Sequence, residues 1–272
     1  MEINIRLNRD MEVPGFISKP EGEVKKVILL IHGLGEHSAR YKDWAASFAA
    51  EGFAVVAADL PGHGMAPGRK GHIESYQVYN NLIDNMADLA SAEFPGLKTG
   101  IYGHSLGGNI SLNYLLTNLS GLDFAVITSP WLILANKPSG LKMAMARVLN
   151  CLVPKLLLAN GLNKSHISHV EDVTRKYSED PLVHDRISVR LGVEASEAAE
   201  RILETGTLID IPVLLLHGSD DLICSPEGSV SLASDKDNFE LKIFEGGYHE
   251  LHNESFRDDV FTYIAKWLDL LP

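Results

Sequence analysis

A mostly parallel β-sheet flanked by helices, with one helical segment inserted between two of its strands, is the α/β architecture this sequence predicts. Three observations carry that expectation. Short apolar, β-branched runs alternate with longer stretches of helical period. A tight Gly-x-Ser-x-Gly turn joins one such run to a helical one. One long stretch, from about Trp131 to Ile209, breaks the alternation. A chain of 272 residues lies where a single core stops growing, so one large domain with an insertion fits better than two equal ones.

The elements follow in order. Two early runs, 3–7 and 13–18, form an antiparallel hairpin at the sheet edge, and further strands fall at 26–31, 53–58, 98–102, 124–128, 213–217 and 241–244. Tyr79, Leu82, Ile83, Met86 and Leu89 recur at helical spacing, and Phe256, Val260, Ile264 and Trp267 repeat that spacing near the C-terminus. Between 131 and 209 no strand is legible. Short helical patterns there are punctuated by Pro138, Gly140, Pro154, Gly161, Pro181 and Gly192. The expected division is therefore a core in two parts, 1–130 and 210–272, with a cap at 131–209.

Composition excludes several classes. With 45% hydrophobic residues the chain can bury a core, which removes disordered and collagen-like readings. Its 36 acids against 24 Lys+Arg give a formal charge of −12, the wrong sign for displacing counterions from a nucleic acid. Cys151 and Cys224 form no CxxC pair, which predicts a reducing compartment and no zinc framework. The opening MEINIRLNRD has charges where a signal peptide needs an apolar centre, and no run reaches the ~18 residues of a membrane span. A cytoplasmic protein is expected.

The chemistry concentrates in a few short segments. Gly103-His104-Ser105-Leu106-Gly107 follows the strand 98–102 and opens a helical run, the arrangement of a nucleophile elbow. There the hydroxyl is pushed out above the sheet edge, and the N–H of Leu106 points at a carbonyl under attack. A serine hydroxyl is a weak nucleophile at neutral pH and needs a base, which needs an orienting acid. Both belong in loops at the C-terminal ends of later strands. Gly218-Ser219-Asp220-Asp221 follows one strand and Glu245-Gly246-Gly247-Tyr248-His249 the other, so His249 is the candidate base and Asp220 or Asp221 the acid. His32-Gly33-Leu34-Gly35 after the strand 26–31 offers the N–H of Leu34 as a second oxyanion donor. The remaining histidines carry plainer expectations. His249-Glu250-x-His252 has the wrong spacing for a zincin, His166 and His169 read as solvated residues of the insertion, and His104 and His217 as structural neighbours of the site. Cys224 is either a thiol crowding the site or a buried, inert one.

These segments together resemble the α/β-hydrolases, and among them the monoacylglycerol lipase and lysophospholipase-like branch. His32-Gly33-Leu34-Gly35-Glu36-His37-Ser38-Ala39-Arg40-Tyr41 is similar to its oxyanion segment, and Asp59-Leu60-Pro61-Gly62-His63-Gly64 to its glycine-rich loop. Gly103 to Gly108 is similar to its elbow, and Tyr177-Ser178-Glu179-Asp180-Pro181-Leu182-Val183 to the end of its cap. The resemblance implies an α/β-hydrolase fold with a helical cap, selects Asp221 over Asp220, and gives a triad of Ser105, Asp221 and His249. It implies a carboxylic ester hydrolase acting on monoacylglycerols through an acyl-enzyme, with lysophospholipase or general esterase as neighbouring activities. Neither metal nor organic cofactor enters that chemistry. A thioesterase, an acyltransferase, an aminopeptidase and a non-catalytic ligand-binding protein share the fold; an intact triad disfavours the last.

From Phe124 through Val170 the sequence has no acid, while Lys137, Lys142, Arg147, Lys155 and Lys164 are interleaved with Trp131, Leu132, Leu141, Met143, Met145, Val148, Leu152 and Leu156–158. Basic and apolar residues on a cap suit a lipid ester substrate and peripheral contact with an anionic lipid surface. Packing of the same residues against the body is the competing expectation.

Overall fold

The computed structural model describes residues 1–7, 11–117, 121–234 and 236–272. Its centre is an eight-stranded sheet. The strands are β1 (Glu2–Arg6), β2 (Glu12–Ser18), β3 (Lys26–Ile31), β4 (Phe53–Ala58), β5 (Thr99–His104), β6 (Phe124–Thr128), β9 (Val213–Gly218) and β10 (Phe239–Phe244), in the order β1-β2-β4-β3-β5-β6-β9-β10. β1 and β2 pair antiparallel at the edge, β2 runs antiparallel to β4, and every pairing from β4 to β10 is parallel. This is the expected sheet, with β10 beginning two residues earlier than its apolar pattern indicates.

Parallel strands covered on both faces need near-continuous apolar residues, and β4 throughout and β3 from Val27 onward are built that way. Val27, Leu29 and Ile31 face one core and Ile28 and Leu30 the other. One core is closed by α2 (Gln77–Glu93), α3 (Leu106–Thr117) and α6 (Val189–Thr205) through Tyr79, Ile83, Met86, Ile110, Leu191, Ala198 and Ile202; α7 (Pro226–Ala233) contributes Leu232. The other is closed by α1 (Lys42–Ala50) and α8 (Arg257–Leu270), whose Trp44, Phe48, Val260, Ile264 and Leu268 pack on Phe53, Tyr102 and Phe124. Full burial of each such side chain contributes roughly 1.5–3 kcal/mol.

The expected insertion divides in two. Residues 131–188 carry α4 (Gly140–Leu152), α5 (Glu171–Glu179) and, against expectation, two short strands, β7 (Leu157–Ala159) and β8 (Arg186–Ser188), paired antiparallel. With three residues each, neither displays enough alternation to be read. α6, by contrast, is a layer of the body: its buried Ala195, Ala198 and Ile202 lie in the same core as α3. Ser188 starts it by accepting from the Leu191 N–H.

Strand order fixes where a site can form. After β3 the chain moves outward to β4, then returns across to β5 on the other side of β3. Between the C-terminal ends of β3 and β5 the connections diverge and leave a crevice.

Candidate active site

Ser105 stands on that crevice, between β5 and α3, with φ of 55°, a left-handed conformation that costs a residue with a side chain of order 1–3 kcal/mol. Its surroundings hold it there. The Ser105 N–H donates to Thr128 O at 3.0 Å, and its carbonyl accepts from Asn109 N at 3.1 Å and Trp131 N at 3.0 Å. Gly107 lets α3 start against β3, since a Cβ there would lie 2.1 Å from the Ile31 carbonyl oxygen.

The loop after β3 lies alongside. A Cβ on Gly33 would sit 3.2 Å from that of Ser105. Glu36 Oε1 accepts from Gly33 N at 2.6 Å and from the Tyr41 hydroxyl at 2.8 Å, while His32 bridges the loop to Leu60 N at 2.9 Å. Among the described residues neither the Leu34 nor the Leu106 N–H donates to a protein acceptor, so both are available to a negative oxygen.

Asp221 and His249 come from the loops after β9 and β10 and meet at 2.7 Å, Oδ2 to Nδ1. Asp221 Oδ1 accepts from Ile223 N at 2.8 Å and Cys224 N at 3.0 Å, and Oδ2 also receives His217 Nε2 at 3.1 Å. Burial acts to raise the carboxyl pKa, but the two imidazoles outweigh it and hold Asp221 far below the usual carboxylate range. Burial likewise opposes charge on His249, yet Asp221 at hydrogen-bond distance raises its pKa above the ordinary imidazole value. The pair is a carboxylate and a strengthened base.

Ser105 makes no hydrogen bond to His249 in this arrangement; its hydroxyl lies beside the Cys224 thiol, which burial keeps protonated. Cys224 is buried, with its thiol against Ser105. His104 packs its ring 4.7 Å from that of His249 and bonds Thr128 Oγ1 at 3.0 Å, and burial next to His249 and His252 keeps it neutral.

Several residues near the site were not singled out in the sequence. Arg40 clamps Glu250 with two bonds of 2.8 Å, also pairs with Glu36, and lies over the Tyr177 ring at 4.7 Å. The clamp joins the β3 loop, the inserted segment and the histidine loop. Glu250 is held by Arg40, and beside it the His252 ring stacks on Tyr41 at 4.7 Å. Glu36 and Arg40 lie together in the His32–Tyr41 segment, but nothing in its pattern gives Arg40's second partner, Glu250, more than two hundred residues away. His169, expected in solvent, is half-exposed yet lies 3.6 Å from the Tyr248 ring and bonds Glu254, tying the insertion to the loop of His249.

A flanked, mostly parallel sheet with these residues at the ends of β3, β5, β9 and β10 is the architecture of the α/β-hydrolases. Within that class the chain belongs to the family described as serine aminopeptidase, S33, whose model matches residues 22–255, and to its monoglyceride lipase-like branch. It is 33% identical to the human monoglyceride lipase over 92% of this chain and 84% of that one. The crystal structure of a monoacylglycerol lipase from Paleococcus ferrophilus superposes with a TM-score of 0.85 at 35% identity, covering 93% of this chain and 98% of that one. An uncharacterized abhydrolase domain-containing protein of Dictyostelium discoideum is 36% identical over 89% of this chain, which spans only 26% of that longer protein.

Proposed function

We propose that this protein is a serine hydrolase that cleaves monoacylglycerol to glycerol and a free fatty acid. Ser105 attacks the ester carbonyl while His249 Nε2 takes its proton; Asp221 holds the imidazole with Nδ1–H toward itself and stabilises the imidazolium. The N–H groups of Leu34 and Leu106 hold the developing oxyanion, and His249 returns the proton to the departing glycerol oxygen. Water, activated by the same histidine, then releases the fatty acid from Ser105. The observation that carries this reading is the Asp221–His249 pair at 2.7 Å beside an elbow serine at φ 55°, in a chain of the monoglyceride lipase-like branch.

An aminopeptidase would need a free carboxylate to catch an amino terminus. Glu36 and Glu250 lie nearby, but both are bonded to Arg40, and Glu36 also accepts from Gly33 N and the Tyr41 hydroxyl, so neither is free. The segment 131–188 acts as the cap. Its α4 buries no residue at all, leaving Leu141, Met145, Val148 and Leu152 exposed, whereas Trp131 and Leu132 pack into the body. Arg147 and Lys155 are already paired with Glu197, Glu200 and Glu74, so the cap meets lipid chiefly through apolar side chains, with Lys137 and Lys142 at its edge. No helix of the described residues is long and apolar enough to cross a membrane. The exposed apolar side chains of α4 support peripheral contact with membranes by a protein we place in the cytoplasm.

The test is a hydrolysis panel: monoacylglycerols of short to long chain, a diacylglycerol, a lysophospholipid, an acyl thioester and an aminoacyl anilide. Turnover highest on a monoacylglycerol is expected. Preference for the lysophospholipid or the anilide would replace the substrate assignment.

A further inference from the structure

His217, the penultimate residue of β9, is completely buried and has no part in the proton transfers set out above. Its Nε2 faces two acceptors that have no proton to give, Asp221 Oδ2 at 3.1 Å and the Cys224 carbonyl at 3.0 Å, so this nitrogen carries the hydrogen. Nδ1 meets the buried Ser229 hydroxyl of α7 at 2.8 Å. Ser229 can donate there. All four lone-pair directions of the Asp221 carboxylate are then occupied: two by backbone amides on Oδ1, two by imidazole N–H groups on Oδ2. Of these four donors, His217 is the one side chain outside the triad.

We infer that His217 is a positioning residue for the proposed reaction, sharing Oδ2 of Asp221 with His249 and so fixing both the direction and the strength of the Asp221–His249 hydrogen bond. The inference rests on the triad assignment above. The shared oxygen divides its negative charge between two donors. Without His217, Oδ2 interacts with His249 alone, the imidazolium is favoured and the base titrates at higher pH. The carboxylate also loses a restraint against rotation out of the His249 plane. The other ionisable groups around this pair are His104 from β5, Glu36 and Arg40 from the β3 side, Cys224 from the same loop as Asp221, and Glu250 and His252 beyond His249. None of these changes in the variants below.

The experiment compares H217L, H217Q and H217N in the full chain, measuring kcat, KM and the pH profile of kcat/KM on a monoacylglycerol, with Tm in parallel. The glutamine amide reaches the place of Nε2 and can donate to both Asp221 and Cys224 O. The shorter asparagine amide reaches only the place of Nδ1. H217L and H217N are expected to lower kcat by between about tenfold and a hundredfold at unchanged KM, the range for losing a hydrogen bond to a charged group. Their acid limb should move up by about one pH unit. H217Q should restore the parent limb. An unmoved acid limb in H217N, or a shift in H217Q equal to that in H217N, would overturn the role of His217; should H217L fail to fold, the Gln and Asn pair decides alone. S105A assayed alongside tests the underlying assignment separately: an active S105A removes the triad, while an inactive S105A with unshifted His217 variants removes only the positioning role.

Discussion

Replacing Asp221 by asparagine changes one atom and should disable the base without unfolding the protein. In the parent, Oδ1 accepts from the Ile223 and Cys224 amides at 2.8 and 3.0 Å, and asparagine keeps an oxygen in that place. The substituted NH2 then stands where Oδ2 was, against His249 Nδ1 at 2.7 Å and His217 Nε2 at 3.1 Å. Donor would meet donor. His249 escapes by moving its proton to Nε2, leaving Nδ1 to accept from the amide, and in that tautomer Nε2 can no longer receive the Ser105 proton. A misassigned tautomer of this kind lowers kcat by about 10⁴-fold in serine hydrolases, or about 5.4 kcal/mol at 1.36 kcal/mol per factor of ten. The assay is steady-state fatty-acid release from a monoacylglycerol at pH 8, with Tm recorded for each protein. D221N retaining more than a tenth of the parent kcat would refute the reasoning, as would an equally severe loss in D220N.

Other expectations test different parts of the structure. G107A places a methyl 2.1 Å from the Ile31 carbonyl and must push α3 off β3, which should destabilise by about 1–3 kcal/mol in urea titration and depress activity further by displacing the elbow. The raised pKa of His249 puts the acid limb of kcat/KM above the ordinary imidazole value of about 6.5, measurable from a pH series. Stability should respond differently: His63, His104 and His252 titrate lower in the folded protein than unfolded, His252 at about 4. The unfolded chain therefore binds more protons as pH falls from about 6.5 to about 4, and Tm should drop across that window; Asp221, whose pKa is also depressed, adds its loss only below about 3.9. His249 has the opposite sign: its contribution is complete below about 6.5 and is lost only as pH rises above that value, so it does not offset the drop. The doubly substituted L141D/L152D cap should lose sedimentation with neutral and anionic vesicles alike while keeping turnover of a soluble short-chain ester, and high salt should weaken parent binding little.

Legibility in the sequence followed the length of the pattern and the number of constraints on it. β3, β4 and β6 were readable to the residue because burial on both faces demands an unbroken apolar run. The elbow was readable because only glycine fits beside both Ser105 and the end of β3. Asp221 could be told from Asp220 only through resemblance, since adjacent acids in one loop have the same spacing to everything else. β7 and β8 were invisible because three residues carry no period. α6 follows an irregular segment in the sequence, and only its packing on α3 assigns it to the body. Arg40 with Glu250, and His217 with Ser229, are pairings across loops; sequence gives the residue types but not the meeting.

Covalent labelling at Ser105 tests the central claim most directly. A fluorophosphonate, which traps an activated serine, should add one adduct to the parent, located by peptide mass at Ser105, and abolish monoacylglycerol hydrolysis in proportion to its incorporation. S105A should take up none and release no fatty acid. An adduct located on another serine, or an S105A protein that hydrolyses monoacylglycerol at the parent rate, would contradict the account.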